Sequence, residues 1–266
     1  MTAGSQKEPI LSARGIVNRF GGQTVHDNVD LDILPGEILG IAGSSGSGKS
    51  VLLKTLTGLR HPEGGEVVAN GTPINALDPA QRASLLGVLF QQGALFSSLS
   101  VAQNIMVPLQ EHADLPPEEM ERIAAMKLAL AGLPADTGLK MPSELSGGMV
   151  KRAAFARALA LDPRILFLDE PTSDLDPLTA GGIDTLILQL NKNLGITFVI
   201  VTHDLTTLFT ICGRVAVIDD QKLVVDTVEG HMKSDRPWIH EFFHGPRAEG
   251  AKHGATIARR QNDGNG

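Results

Sequence analysis

The chain has 266 residues, 42% of them hydrophobic, and a formal charge of -7, so it can bury one substantial core, or a core with an inserted lobe, without disulfide staples. The acidic balance disfavours a phosphodiester backbone as partner, with local basic patches the one route left open, so nucleic acid is not expected. No run approaches the roughly 18 to 20 apolar residues that cross a bilayer, and Met1 to Pro9 hold no apolar signal-peptide core, which points to a soluble chain.

Ahead of residue 35, the alternation of Val25, Val29, Leu31 and Ile33 predicts an antiparallel β element at a sheet edge. Ile38-Leu39-Gly40-Ile41-Ala42 then reads as a strand buried on both faces, the mark of a parallel sheet in an α/β domain. It runs into Gly43-Ser44-Ser45-Gly46-Ser47-Gly48-Lys49-Ser50, a phosphate loop in its expected place between a strand and a helix. Gly43, Gly46 and Gly48 let backbone amides close around β- and γ-phosphates, and the helix beginning near Lys49 aims its positive dipole end at the same anion. Lys49 adds a full charge, and the Ser50 hydroxyl is a ligand for Mg²⁺.

Between roughly Asp78 and Pro163 the pattern turns to alanine- and leucine-rich helices, with Pro116-Pro117-Glu118-Glu119 opening one and Asp162-Pro163 closing another. Within this stretch, Leu145-Ser146-Gly147-Gly148-Met149 places Ser146 as the N-cap of a helix running to about Leu161, with Gly147 and Gly148 exposing amides that a side chain would crowd. Ile165-Leu166-Phe167-Leu168-Asp169-Glu170 is an apolar strand whose end brings two carboxylates to the sheet rim where nucleotides bind in such folds. Asp169 would hold Mg²⁺ through its water shell, and Glu170 would polarise the attacking water. Ser173-Asp174-Leu175-Asp176 is, taken alone, an ordinary aspartate-rich turn.

Phe198-Val199-Ile200-Val201 and Val215-Ala216-Val217-Ile218 are two further buried strands, and His203 follows the first of them. The single cysteine, Cys212, lies in an apolar stretch and reads as a small buried hydrophobe in a reducing compartment, which suggests the cytoplasm. After Gly245 the composition turns to Gly, Ala, Arg, Asn and Gln without periodicity, so a flexible tail is expected. In that tail, Arg247, Lys252, Arg259 and Arg260 could meet anionic lipid or a neighbouring subunit, or simply be solvated. The expected fold class is α/β: a P-loop NTPase parallel-sheet core of RecA-like type, an N-terminal antiparallel β element and an inserted α-helical subdomain. One ATPase domain would cover 1–244, with its core at about 8–80 and 163–235, its helical subdomain at about 81–162, and the tail at 245–266.

The phosphate loop, Leu145-Ser146-Gly147-Gly148, Asp169-Glu170, Ser173-Asp174-Leu175-Asp176 and His203 together resemble the ATP-binding-cassette ATPases over roughly residues 10 to 230. The resemblance implies ATP hydrolysis with Mg²⁺ by a head-to-tail homodimer with two composite sites, in which Ser146, Gly147 and Gly148 of one copy meet the γ-phosphate held by the other. It implies that Gln91, after Val88-Leu89-Phe90, senses Mg²⁺ and water, with Gln92 an alignment one residue away. It also implies that His203 contacts the γ-phosphate, that Asp174 and Asp176 form an inter-protomer loop, and that Phe20 stacks on adenine. Met149 stands where the family has glutamine, and no role is carried over to it.

Phe90-Gln91-Gln92-Gly93-Ala94-Leu95-Phe96, Leu99-Ser100-Val101, Asn104 to Leu109, Met126-Lys127-Leu128 and Trp238-Ile239-His240-Glu241-Phe242-Phe243 resemble the ATPase subunits of Mla and related Mce-linked lipid transporters. So does the Lys151-Arg152 pair behind Gly148-Met149, whereas Pro171 to Asp176 resembles the general cassette pattern more closely. The Mla branch implies phospholipid as cargo, an integral inner-membrane permease and an Mce-domain lipid-binding subunit, with a STAS-domain regulator as a further partner, and a peripheral place on the membrane's cytoplasmic face. Leu95, Phe96, Leu99 and Val101 are either core of the helical lobe or the grip on the permease. Three other readings stay open: the ATPase of another small-solute or lipoprotein transporter, a cassette that works a membrane partner mechanically, and a soluble cassette ATPase acting on nucleic acid, against which one phosphate loop and no sustained heptads weigh.

Overall fold

A computed structural model of the chain describes residues 8–263 apart from Gln92, and leaves out the side chains of His253 and of residues 256–263. The chain divides into two compact units, one built from the stretch up to Leu77 together with that from Val201 onward, the other from Asp78–Ile200. In chain order the first part of unit one holds β1 (Leu11–Phe20), β2 (Gln23–Ile33), β3 (Ile38–Gly43), α1 (Lys49–Leu56), β4 (Gly64–Ala69) and β5 (Thr72–Pro73). Next come α2 (Pro79–Leu85), β6 (Leu86–Leu89), α3 (Val101–His112), α4 (Pro117–Leu130), α5 (Gly147–Ala158), β7 (Ile165–Asp169), α6 (Pro177–Leu194) and β8 (Thr197–Val201). The chain closes with α7 (Leu205–Ile211), β9 (Arg214–Asp219), β10 (Lys222–Asp226), α8 (Val228–His231), α9 (Pro237–His244) and α10 (Pro246–Asp263).

In the first unit the antiparallel element is a four-stranded sheet in the order β2-β1-β4-β5. Leu11, Ala13 and Ile16 face Ile33, Leu31 and Val29 across the β1–β2 pair, and all six are buried, so the alternation in the sequence becomes one apolar face. Strand β3 is buried throughout and runs parallel to β9, which returns antiparallel through β10. Asp220 and Gln221, both with positive φ (48° and 63°), make the two-residue turn of that hairpin. Cys212 is buried, and a Cβ on Gly40 would come within 3.2 Å of its sulfur.

The chain end departs from expectation. Pro246–Asp263 is helical, not irregular. Ala248, Ala251 and Ala255 are buried and the helix packs on α7; alanines at helical spacing among glycines and charges carry too weak a hydropathy signal to be read in advance. Lys252 pairs with Glu249 at 3.0 Å, Arg247 is exposed, and the side chains of Arg259 and Arg260 lie outside the described ones.

In the second unit the strand order is β8-β7-β6, with β6 parallel to β7. Gly87 is required where β6 passes α5, because a Cβ there would stand 2.4 Å from the Ala158 carbonyl oxygen. A helical core gathers Val101, Ile105 and Leu109 of α3, Met120, Ala124 and Leu128 of α4, and Ala153 and Ala156 of α5. Pro117 opens α4 as read from sequence, with Glu118 and Glu119 in its first turn, favourable to the helix dipole. Helix α5 ends at Ala158, short of the expected Leu161, because the chain turns through Asp162 at φ 52° before Pro163. Of the apolar group expected as core or docking surface, Val101 is buried and Leu95 packs on the helical core, while Phe96 is 51% exposed. Buried Asn104 fixes that loop, donating to the carbonyls of Phe96, Leu99 and Ser100 and accepting from the Phe96 amide at 2.7 Å.

Candidate nucleotide site

The phosphate loop leaves β3 at Gly43 (φ 156°), turns at Gly46 (φ 78°) and enters α1 through Gly48, a left-handed N-cap at φ 95°. No side chain caps α1 and no acidic residue stands in its first turn, so the positive dipole end of the helix favours an anion there. A Cβ on Gly48 would lie 2.2 Å from Val25 Cγ1, and one on Gly43 2.6 Å from Ser47 Oγ, so with their positive φ a side chain at either place would be strained. Lys49 Nζ donates to the carbonyls of Gly43 and Ser44, each at 2.9 Å, so the ammonium sits over the loop. Ser44, Ser45, Gly46 and Ser50 are exposed, and Ser47 is half-buried.

A cavity of about 550 Å³ opens beside the loop. Ser44, Gly46, Ser47 and Gly48 line one part, and Phe20, Trp238 and the Asp219–Gln221 turn line others. Phe20 is 69% exposed at the end of β1 and lines the same cavity as the loop.

Under the loop lies a buried polar cluster that the sequence did not announce. Asn18 Nδ2 is 3.0 Å from His26 Nδ1 and donates to Thr55 Oγ1 at 3.0 Å, joining β1, β2 and α1, while His26 Nε2 has no partner among the described residues and lies just below Gly48. Burial first, and then the Arg60 guanidinium, lower the His26 pKa from 6.5 to about 4. As pH falls from 6.5 toward 4, the unfolded chain takes up a proton at this residue that the folded chain refuses. Folding stability should therefore drop over that window, by about 3 kcal/mol at its acid end. Urea denaturation of wild type and His26→Asn across that range checks it: the variant should show a shallower acid decline, and equal declines would remove His26 as the cause.

The second unit carries the other expected site residues except His203. Strand β7 is buried to its last residue, Asp169, and Glu170 follows at φ 49°, a conformation that costs a non-glycine residue on the order of 1–3 kcal/mol. Ser173 holds it there, donating from its amide (3.2 Å) and its hydroxyl (2.9 Å) to the Glu170 carbonyl. Gln91 is exposed just after β6; Gln92, the alternative alignment, lies outside the described residues. Lys151 of α5 was not foreseen as part of this arrangement. Its ammonium donates to the Gln91 carbonyl, to the Glu170 carbonyl (3.2 Å) and to Ser173 Oγ (3.3 Å), tying both loops to one helix. Burial pushes its pKa down, opposed by the carboxylates of Asp174, Glu170 and Asp169. Arg157 adds two bonds, to the carbonyls of Ala94 (2.6 Å) and Gly93 (3.0 Å).

Ser146 is the N-cap of α5, accepting from the Met149 amide at 3.3 Å, with Gly147 exposed after it. A Cβ on Gly148 would meet Thr179 Cγ2 at 2.5 Å, so the second glycine answers to packing as well as to open amides. Asp174 is exposed at φ 63°. Asp176 caps α6: its carboxylate accepts from Thr179 Oγ1 and from the Leu178 and Thr179 amides, and the Thr179 hydroxyl leads in holding its pKa down. In the first unit, exposed His203 lies between β8 and the Asp204 cap of α7, and Thr202 beside it donates its amide to the Ile41 carbonyl at 3.1 Å.

A glycine loop of this shape between a buried parallel strand and a helix, opening on a cavity with an aromatic rim, defines a P-loop nucleotide-binding ATPase. Residues 26–173 match the family model described as ABC transporter, and the chain belongs to that family as an ATP-binding subunit of a transporter. A probable ribonucleotide transport ATP-binding protein, mkl, of Mycobacterium leprae is 39% identical over 89% of this chain and 69% of its own. The intermembrane phospholipid transport system ATP-binding protein MlaF of Haemophilus influenzae is 38% identical over 89% of this chain and 90% of its own. Among solved structures, a dimeric post-hydrolysis state of the ATP-binding cassette MJ0796, bound to ADP and Pi, superposes with a TM-score of 0.74 at 32% identity over 82% of this chain and 98% of that one.

Proposed function

We propose that this chain is the ATPase subunit of a phospholipid transporter of the Mla/Mce type, working as a head-to-tail homodimer with two ATP. The observation that carries the reading is the near full-length similarity to the phospholipid-transport ATPase of Haemophilus influenzae, which spans 89% of this chain. The dimer is supported by the two sets of open amides, at Gly43–Gly48 and at Ser146–Gly148, and by the dimeric cassette that this chain resembles. ATP would lie with its phosphates on Ser44 to Ser50 of one copy, its base on Phe20, and its γ-phosphate under Ser146, Gly147 and Gly148 of the other. Asp174 and Asp176 would face the partner across that contact.

Ser50, Asp169 and Gln91 offer a hydroxyl, a carboxylate and an amide, the hard oxygen donors that Mg²⁺ prefers. Bound there, Mg²⁺ would neutralise β- and γ-phosphate charge as it develops. Glu170 would take a proton from the attacking water, and His203 would donate a hydrogen bond to the γ-phosphate. The core is assigned to about 8–80 and 163–235 and the helical subdomain to about 81–162, the latter supported by the apolar cluster of α3, α4 and α5. As the ATPase of such a transporter the chain would lie peripherally on the cytoplasmic face, against a permease; among the described residues no helix is long and apolar enough to cross a membrane. The loop presenting Phe96 is its candidate contact.

The 39% identity to a protein named for ribonucleotide transport supports a different cargo for the same motor. Purification of the chain from its native membrane separates the two readings. A permease accompanied by an Mce-domain protein, with or without a STAS-domain subunit, is expected; a permease lacking any Mce-domain partner would overturn the phospholipid assignment.

A further inference from the structure

We infer that Trp238 is a second aromatic wall of the nucleotide cavity and packs its indole on the purine ring. This rests on the ATP reading of that cavity. Trp238 comes from α9, nearly two hundred residues after the phosphate loop, yet it lines the cavity that Phe20 and Gly46–Gly48 line. Phe20 stands at a strand end followed by two glycines and is largely exposed, so few neighbours brace its ring. The indole is held quite differently. It is half-buried and stacked on Phe242, with ring centroids 4.9 Å apart and planes at 16°.

Helix α9 is itself anchored at two points. Ile239 and Phe243 are fully buried beneath it, and Phe243 stacks on His231 at 5.3 Å and meets Phe209 edge-on at 6.0 Å. Ahead of the helix, Arg236 Nη1 donates to Asp219 Oδ2 at 3.1 Å, joining the start of α9 to the β9–β10 turn that forms another part of the cavity wall. The ring is therefore placed before a ligand arrives, and little side-chain entropy is lost on stacking. A flat π-face recognises any purine, so the wall adds affinity for ATP, ADP and GTP alike and none for a bare polyphosphate chain.

The chain has one tryptophan and no tyrosine, so indole emission reports on this residue alone. Titration of the full chain with ATP should change that emission, whereas tripolyphosphate, which reaches only the loop, should leave it unchanged. By equilibrium dialysis Trp238→Leu should bind ATP and ADP about tenfold more weakly while tripolyphosphate affinity holds, and Trp238→Phe should keep most of the affinity. Saturable ATP binding with unaltered emission and equal affinity in Trp238→Leu overturns the proposal. Equal losses for ATP and tripolyphosphate in both variants also overturn it, since that pattern marks damage to the fold. Failure of the wild type to bind ATP at all would instead overturn the ATP reading beneath it, and the proposal with it.

Discussion

Glu170→Gln is expected to lower steady-state ATP hydrolysis by about 10²–10⁴-fold while leaving ATP binding intact, the range over which a positioned general base acts. The substitution keeps the shape of the side chain and removes its capacity to accept a proton. It should leave the unusual backbone at Glu170 in place, because Ser173 and Lys151 both donate to the carbonyl oxygen of that position, which the substitution keeps. With hydrolysis stopped and binding preserved, the ATP-bound pair of subunits should persist, so light scattering with Mg²⁺ and ATP should report a dimer that the wild type forms only transiently. Near-normal turnover would remove Glu170 from the role of base.

Lys49→Ala and Ser146→Arg should each be inactive alone, yet recover ATPase activity when mixed. At an effective dielectric near 20 the Lys49 charge contributes on the order of 4 kcal/mol at about 4 Å from a phosphate, so its removal should weaken ATP binding by about a thousandfold. Ser146→Arg places a bulky cation where α5 offers its first amides. In a mixed dimer one site joins the two damaged halves and the other joins the two intact ones. Random pairing of a two-fold dimer then predicts recovery to about a quarter of wild-type activity if the sites work independently. Mixed dimers shown by differential tagging to exist, but without activity, would rule out sites shared between copies.

The phosphate loop and the buried strands were legible in the sequence because each rests on a local rule. Unbroken apolar runs at Ile38, Ile165, Phe198 and Val215 became β3, β7, β8 and β9. Glycines forced by backbone angle or by close approach, such as Gly48, kept their spacing whatever surrounded them. The features that escaped depend on partners far away in the chain. Lys151 read as half of a basic pair, and nothing in its neighbours tells that its ammonium reaches Gln91, sixty residues earlier. His26 carries no motif and draws no role from the sequence; its lowered pKa comes from burial and then from Arg60, which stands well beyond its own strand. Trp238 was noted only as part of a terminal aromatic run, because a cavity wall has no signature of its own. The alanine face of α10 was lost among glycines and charges.

Lys151 also bears on how mutational data from this protein should be interpreted. One cation links the main-chain oxygens of Gln91 and Glu170, so exchanging it should slacken both loops together. A screen scored on turnover alone would file this lysine beside Glu170, the proposed base. Only a comparison of pH profiles, in which loss of a tether lowers the plateau without moving the inflection, would tell scaffold from reagent.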